Sequence, residues 1–570
     1  MTRTTPLLAL LLLLPGATAQ PAPTTEQLLA KVPPRTAFVL VAPRLDNLVS
    51  NLASFGKKIG ADELAELTPA LLLERAGLLE HAEGLDIDGP LVVAQSPEYA
   101  VPLALCVVRD AEAWKKAVQA ETMNNGLLRV RLCHAGGYAA IEENVLILGD
   151  EPDAVRAAVA ADETFALRFA QEAGPLLADH QFVCWVDLPP WRPRMEAVLA
   201  AMRLAMQMSM AMNAPPDESM RRVVNALVSE ITGLIREMDS LAVGIRGGAD
   251  GIRLHAITRF REGGPVATYL DKAGKGRGHL LRGLPDAPAI LIASCEWEKP
   301  PGTDSLTLRW LKSLFENDEV RARVGEEQYK RALQASIDMN NRMSGYNFTM
   351  SAGGPDGGLL ITGVYFADDP TAFMGYMRDA FEFNAEFLSP VGPGTKTKVT
   401  SRTEQIAGHE VTAYDMAFDV DDPQLRQTVQ ALYGRQPSAY AAARAQDVFF
   451  VMGPTRPSRQ RVEQLLDSAG RPLTENPRVA AVCGALSPEP QCYALLDLVE
   501  FLKFVLATVR CAGAPVPPLE WSDEPAPYAG LALYFEPGRI RTEAYVPAEP
   551  VRRIISAITA LKTAEPVHRP

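Results

Sequence analysis

The chain repeats itself, and that repetition limits what it can fold into more than any other feature. The stretches "NVLILGDEPDAVRAAVAAD" (144–162) and "DVFFVMGPTRPSRQRVEQLLD" (447–467) share one outline: a buried strand, a tight turn, then a helix. "LLAKVPPRTAFVLVAPR" (28–44) resembles "LLRGLPDAPAILIASCEW" (280–297), and "YAVPLALCVVRDAEAWKKAV" (99–118) resembles "GGLLITGVYFADDPTAFMGYM" (357–377). "QFVCWVDL" (181–188) matches "QCYALLDL" (491–498), and the hairpin-like "SLAVGIRGGADGIRLHAITRF" (240–260) matches "GLALYFEPGRIRTEAYVP" (530–547). Five loose likenesses in one order argue for a duplicated unit, and a repeat of this kind sets the architecture before any single element does.

Within each copy, short runs of Val, Ile, Leu and Phe read as strands, and Ala-rich stretches with charges three and four apart read as helices. Asp110 and Asp150 stand where a strand ends and a helix begins, so each is placed to accept from helix-start amides. Pro152 suits a first helical turn, where a missing N–H is no loss. Hairpins mixed with strand–helix crossovers predict an α+β fold: two tandem homologous copies, each a mainly antiparallel sheet covered by helices on one face. The expected divisions are a signal peptide at 1–19, copy one at 20–275 and copy two at 276–565. The joint falls in "DKAGKGRGHLLRG" (271–283), and the Pro-rich "AGAPVPPLEWSDEPAPY" (512–528) of copy two replaces the polar helix "ESMRRVVNALVSEITGLIREM" (218–238) of copy one.

The first residues, "MTRTTPLLALLLLLPGATAQ", have the parts of a secretory signal: Arg3, an apolar run, a Pro-Gly break and small residues before a cut between Ala19 and Gln20. The expectation is an exported protein, periplasmic or extracellular, with no transmembrane segment once the signal is removed, because the apolar run is shorter than the ~20 residues a span needs. A hydrophobic share of 47% with 22% charged residues excludes wholesale disorder. Acids outnumber bases, 69 Asp+Glu to 56 Lys+Arg, and no basic stripe with interleaved aromatics occurs, which argues against nucleic acid as a partner.

Chemistry-bearing patterns are thin. The seven histidines show no zinc spacing, so no metal and no cofactor are expected. "SFGK" (54–57) spells Ser-x-x-Lys without its companion motifs, and "GKGRG" (274–278) lacks the end of a phosphate loop and reads as a linker. "DIDG" (86–89) and "DVDD" (419–422) supply too few oxygens for a calcium loop. The repeated strand–turn–helix reads as a structural joint: copy one sets Asp150, Glu151 and Asp153 at its turn, and copy two adds prolines that remove amide donors. The cysteines lie mostly in apolar runs and read as buried thiols, with Cys483 and Cys492 the best candidate pair. The most unusual stretch is "MEAVLAAMRLAMQMSMAM" (195–212), whose Met202, Met206, Met208, Met210 and Met212 are candidates for an apolar surface meeting a lipid-like ligand or a protein partner. A copper site of thioethers is a further reading. The matching helix of copy two has no methionine but equal apolarity, which favours a buried core helix.

The opening of copy one and its "YAAIEENVLILGDEPDAVRAAV…FVCWVDL" stretch resemble an uncharacterised family of exported bacterial proteins with a "VP-x-x-T-x-F-V-L-V" start. That resemblance implies an export address and a domain of unknown function, with no activity to carry over. The chain is therefore expected to be a non-catalytic exported binding or structural protein. The alternatives are a carrier of an apolar, lipid-like ligand and a hydrolase whose site is assembled from distant residues.

Overall fold

A computed structural model describes residues 23–75, 82–99, 101–132, 135–213, 228–229, 231–274, 276–298, 325–352, 358–387, 395–420, 423–467, 473–511, 519, 521–522 and 524–563. The segment read as a signal, with Ala19 and Gln20, and much of the Pro-rich 512–528 stretch lie outside them. The described residues fall into two compact units, one made of Met1–Thr36, Val41–Asp46 and Pro69–Arg168, the other of Ala37–Leu40, Asn47–Thr68 and Phe169–Pro570. This division does not coincide with the sequence repeat, because 169–275 goes with the larger unit.

Strand β1 (Phe38–Ala42) has residues in both units. The smaller unit holds β2 (Leu91–Gln95), β3 (Leu103–Val107), β4 (Glu121–Thr122), β5 (Leu128–Leu132), β6 (Ala135–Glu142) and β7 (Val145–Gly149). They run β4-β5-β6-β7-β3-β2, antiparallel throughout. Every residue of β3 and β7 is buried, which is why both read as continuous apolar runs rather than alternations. Trp114 and Phe165 of the same unit are fully buried. Asp110 caps the helix Ala111–Ala117 by accepting from the amides of Glu112 and Ala113, as its position predicts. Asp150 does not cap: the helix Pro152–Val159 takes Glu151 as its N-cap, without a capping hydrogen bond from its side chain, and Pro152 occupies the first turn.

The larger unit holds β8 (Phe182–Asp187), β9 (Met238–Gly248), β10 (Gly251–Phe260), β11 (Leu291–Glu296), β12 (Met343–Ala352), β13 (Leu359–Ala367) and β14 (Thr395–Ile406). It continues with β15 (His409–Val420), β16 (Pro437–Arg444), β17 (Asp447–Pro454), β18 (Cys492–Leu496), β19 (Ala529–Glu536) and β20 (Arg539–Pro547). The order is β8-β9-β10-β20-β19-β18-β11-β12-β13-β17-β16-β15-β14, and each pairing is antiparallel. The expected hairpin is present, with Gly251 opposite Gly248 at its turn.

Helices cover both faces at β17, not one as expected. Phe449 and Val451 pack with Val462 of the helix Thr455–Leu466, whereas Val448, Phe450 and Met452 pack with Phe373, Met377 and Phe381 of the helix Pro370–Phe387. Successive strand residues point to opposite faces, so an unbroken apolar run such as "VFFVM" is the signature of a strand buried on both.

Two helices cross the β10–β20 boundary in opposite senses. The helix Pro265–Ala273, which follows β10, buries Val266, Ala267 and Leu270 beside Phe535 of β19 and Ile540 of β20. The helix Ala548–Thr563, which follows β20, sets Ala548, Val551 and Ile555 beside Ile252 of β10 and against Phe55 and Ile59 of the helix Leu45–Ile59. Each strand run thus receives the closing helix of the other.

Candidate functional site

The methionine stretch forms the helix Arg192–Asn213. Its start is pinned: Trp191 Nε1 donates to the Ala37 carbonyl at 3.2 Å, and Arg192 donates to the Met238 carbonyl at 2.7 Å and to Asp239 at 3.3 Å. Glu196 pairs with Arg236 at 2.7 Å. Beyond that anchor the expectation of a core helix fails. Val198 is 59% exposed, Met202 55%, Leu204 57% and Met208 57%. At 3.6 residues per turn these four spread over roughly 160° of the helix, a broad apolar face. The side chains of Met206, Met210 and Met212 lie outside the described residues. The helix Leu498–Cys511, which the sequence comparison sets beside it, packs against the helices Pro423–Tyr433 and Ala548–Thr563 and buries Val499, but leaves Phe501 and Val509 exposed.

The second concentration of functional groups is interior. Glu543 on β20 is 2% exposed. It accepts from the Ser487 amide and hydroxyl, each at 2.7 Å, from Tyr534 at 3.3 Å, and from Arg541. The Arg541 guanidinium also lies 3.6 Å over the Tyr534 ring. Opposite Glu543 in register is His255, whose ring meets that of His180 edge-on at 4.6 Å. His180 uses Nδ1 on the Leu176 carbonyl at 2.8 Å.

Burial and neighbouring charges shift the titration of His255, Glu543 and Tyr534. Burial lowers the pKa of His255, outweighing the pull of Glu543, and the nearby His180, Arg541 and Arg253 act in the same downward direction. For Glu543, burial alone would raise the carboxyl; the two Ser487 hydrogen bonds, His255 and Arg541 overcome it, and the net shift is downward. Burial raises Tyr534, with Glu543 adding to it. A serine donating to a carboxylate whose pKa its own hydrogen bonds, with His255 and Arg541, push down has no base there to remove its proton, so Ser487 is not an activated nucleophile. No hydrogen bond joins it to His255 or His180 among the described residues, and the order of contacts is not that of a nucleophile–base–acid chain.

The remaining sequence candidates resolve as structural. Ser54 spends its hydroxyl on the Ser50 carbonyl at 2.8 Å, not on Lys57. Asp86 of "DIDG" accepts from Arg109 at 2.6 Å, and the Gly89 amide closes a turn on the Asp86 carbonyl. Asp421 and Asp422 of "DVDD" lie outside the described residues, among which no group of three or more His, Cys, Asp or Glu side chains could hold a metal ion. The "GKGRG" segment is clasped rather than loose: Arg277 donates to the Glu298 carbonyl at 2.9 and 2.6 Å, and buried Glu296 accepts from the His279 amide.

The candidate Cys483–Cys492 pair does not form, and Cys295 and Cys492 are not the buried thiols expected. Cys492 is bonded instead to Cys295, its direct partner across β11 and β18. Cys483 is a free thiol pushed up to about 11 by burial, and Cys106 is pushed up to about 12, so neither is a thiolate nucleophile at neutral pH. Among the described residues no helix is long and apolar enough to cross a membrane.

No protein-family profile and no curated protein matches this chain. Among solved structures, crystal form IV of TP0453 is similar at 11% identity and a TM-score of 0.19, covering 51% of this chain and 99% of its own. Crystal form III shows 12% identity and a TM-score of 0.20 over 49% of this chain and 97% of its own. At such scores the likeness carries no argument.

Proposed function

We propose that this is a non-catalytic exported binding protein, made by duplication of one α+β unit, whose helix Arg192–Asn213 is its contact surface for a protein partner with an apolar helix or groove. The observation behind it is the broad apolar face of Val198, Met202, Leu204 and Met208 left in solvent on an anchored helix. Apolar residues scattered singly are ordinary on protein surfaces, but a contiguous face of this kind marks interaction sites. Flexible thioethers suit an adaptable contact.

Strand order supports the duplication. The run β4-β5-β6-β7-β3-β2 of one unit matches β14-β15-β16-β17-β13-β12 of the other. Within the larger unit β8-β9-β10 likewise matches β18-β19-β20. The shared pattern "IRLHA" (252–256) and "IRTEA" (540–544) meets itself antiparallel, with fourth residue opposite fourth residue.

A carrier of a lipid-like molecule on the same face is the second reading, favoured by its run of methionines. Native mass spectrometry on material from an exporting host separates the two. The proposal expects a chain beginning at Gln20, with no small molecule shed, and binding of the apolar dye anilinonaphthalene sulfonate that Met202→Glu with Met208→Glu abolishes. A heavier species that sheds a discrete lipid-like molecule moves the assignment to the carrier. Dye binding unchanged in the double variant overturns the role of the helix.

A further inference from the structure

The two copies of the strand–turn–helix differ most in charge. After Gly149 the first sets Asp150, Glu151 and Asp153; after Gly453 the second sets Arg456 and Arg459, with Arg435 beside them. The second turn opens on a cleft of about 470 Å³ that adjoins a larger one, the two sharing Arg435, Gln436 and Thr455. A volume of that order is what small-molecule sites enclose.

The local charges do not balance. Arg459 is held by Glu404, at 3.3 Å to each oxygen, and by Glu463 at 3.5 Å. Arg402 pairs with Asp415, and Arg426 donates twice to the Val420 carbonyl. Arg435 borders both clefts and Arg456 the larger one; both are exposed, and no carboxylate among the described residues pairs with either. Two uncompensated guanidiniums thus share one concavity in a protein whose net charge is −13.

An apolar wall of Met416, Phe418 and Val429 completes the smaller cleft. Its hydroxyls are already committed: Thr455 Oγ1 donates to the Gln436 carbonyl at 2.7 Å, and Ser438 Oγ lies 2.8 Å from Thr455 Oγ1 and 3.4 Å from Asp415. Phe418 rests against Tyr433, ring centres 5.3 Å apart. Backbone amides contribute little, because Pro454 and Pro457 have none and the Thr455 amide is used by the Gln436 carbonyl. Recognition here belongs to side chains, which is consistent with a structural joint that one copy has dressed with arginines.

We infer that these two adjoining clefts together bind a phosphate ester with an apolar body, its phosphate taken in the larger by Arg435 and Arg456 and its body laid in the smaller along Met416, Phe418 and Val429. A phosphomonoester carries about −1.5 to −2 charge at neutral pH, which matches two unpaired guanidiniums, and the arginine fork fits its oxygens bidentately. The site is independent of the apolar helix.

Titration calorimetry of the whole mature protein with naphthyl phosphate tests this, with naphthol and inorganic phosphate as controls. The expected result is saturable binding of the ester that weakens by at least about tenfold in Arg435→Gln with Arg456→Gln and falls with added salt, while naphthol does not bind. Sedimentation with vesicles of phosphatidic acid in phosphatidylcholine identifies the source: binding to the free ester assigns a soluble ligand, and arginine-dependent binding to vesicles alone assigns a lipid headgroup. Binding to neither, or equal binding by the double variant, overturns the inference.

Discussion

His255 on β10 stands directly opposite Glu543 on β20, each the fourth residue of a similar five-residue stretch, "IRLHA" and "IRTEA". Around that pair the chain has gathered His180, Arg541, Ser487 and Tyr534, and the neighbouring helices cross the boundary reciprocally.

Removing Glu543 leaves Arg541 and the Ser487 donors without their acceptor. Glu543→Ala is expected to cost about 3 kcal/mol, the lower end for breaking a buried pair, because Arg541 keeps partial contact with water. Urea unfolding of the variant against the parent checks it. A loss under half that size would mean that the cluster is solvated.

Acid should destabilise the protein in two stages. The folded pKa of His255 lies below its ordinary 6.5, so above that pH both folded and unfolded chains are neutral there and nothing is lost. As pH falls below 6.5 the unfolded chain takes up a proton that the folded chain resists, and stability drops. Glu543, held below its ordinary 4.5, adds a second loss below that pH, once the unfolded carboxyl protonates first. Burial lowers His279 as well, in the same direction as His255. His255→Leu should flatten, not abolish, the decline beginning near 6.5, as measured by unfolding free energy against pH.

Cys295 and Cys492 close a loop of 197 residues, so opening the bond should release much chain entropy. Replacing both by serine is expected to cost about 3–5 kcal/mol. Non-reducing peptide mapping should recover Cys295 joined to Cys492, with Cys483 alkylated only after unfolding. A Cys483–Cys492 peptide would refute the pairing.

Gly244 lies beneath His180: a Cβ added there would sit 2.6 Å from the imidazole Cγ. Gly244→Ala should displace His180 and lose about 1–3 kcal/mol, the usual range for overpacking a filled site. Thermal melts would show it, and pairing it with His180→Ala should recover most of the loss.

Much of the strand order was legible because apolar runs and turn residues repeat along the chain; "VLILG" and "VFFVM" announce equivalent strands without any chemistry. The Asp110 cap was legible for the same local reason. What could not be read were relations between distant residues. Cys295 and Cys492 meet only because β11 and β18 pair, whereas Cys483 and Cys492 looked suitable merely for being close in sequence. His255 and Glu543 carry no motif, and their proximity follows from a junction of strands that periodicity does not reveal. The helix Arg192–Asn213 misled in a different way: apolarity favours burial, but a sequence does not show whether a neighbour exists to provide it. Its counterpart Leu498–Cys511 has partners on two helices, so equal apolarity ended in different surroundings.

If the apolar face is a surface and not core, Met202→Glu and Met208→Glu should each change stability by no more than about 0.5 kcal/mol, as for exposed sites generally. A buried methionine would lose several times that.

Hydroxyl-radical footprinting of the mature protein, on a sample whose native mass equals that of the bare chain, tests the contact surface most directly. The account predicts fast sulfoxide formation at Met202 and Met208, near the rate in the unfolded chain, with strong protection of buried Met377 and Met416. Met202 and Met208 as protected as Met416 would show a covered helix and contradict its role as the binding face.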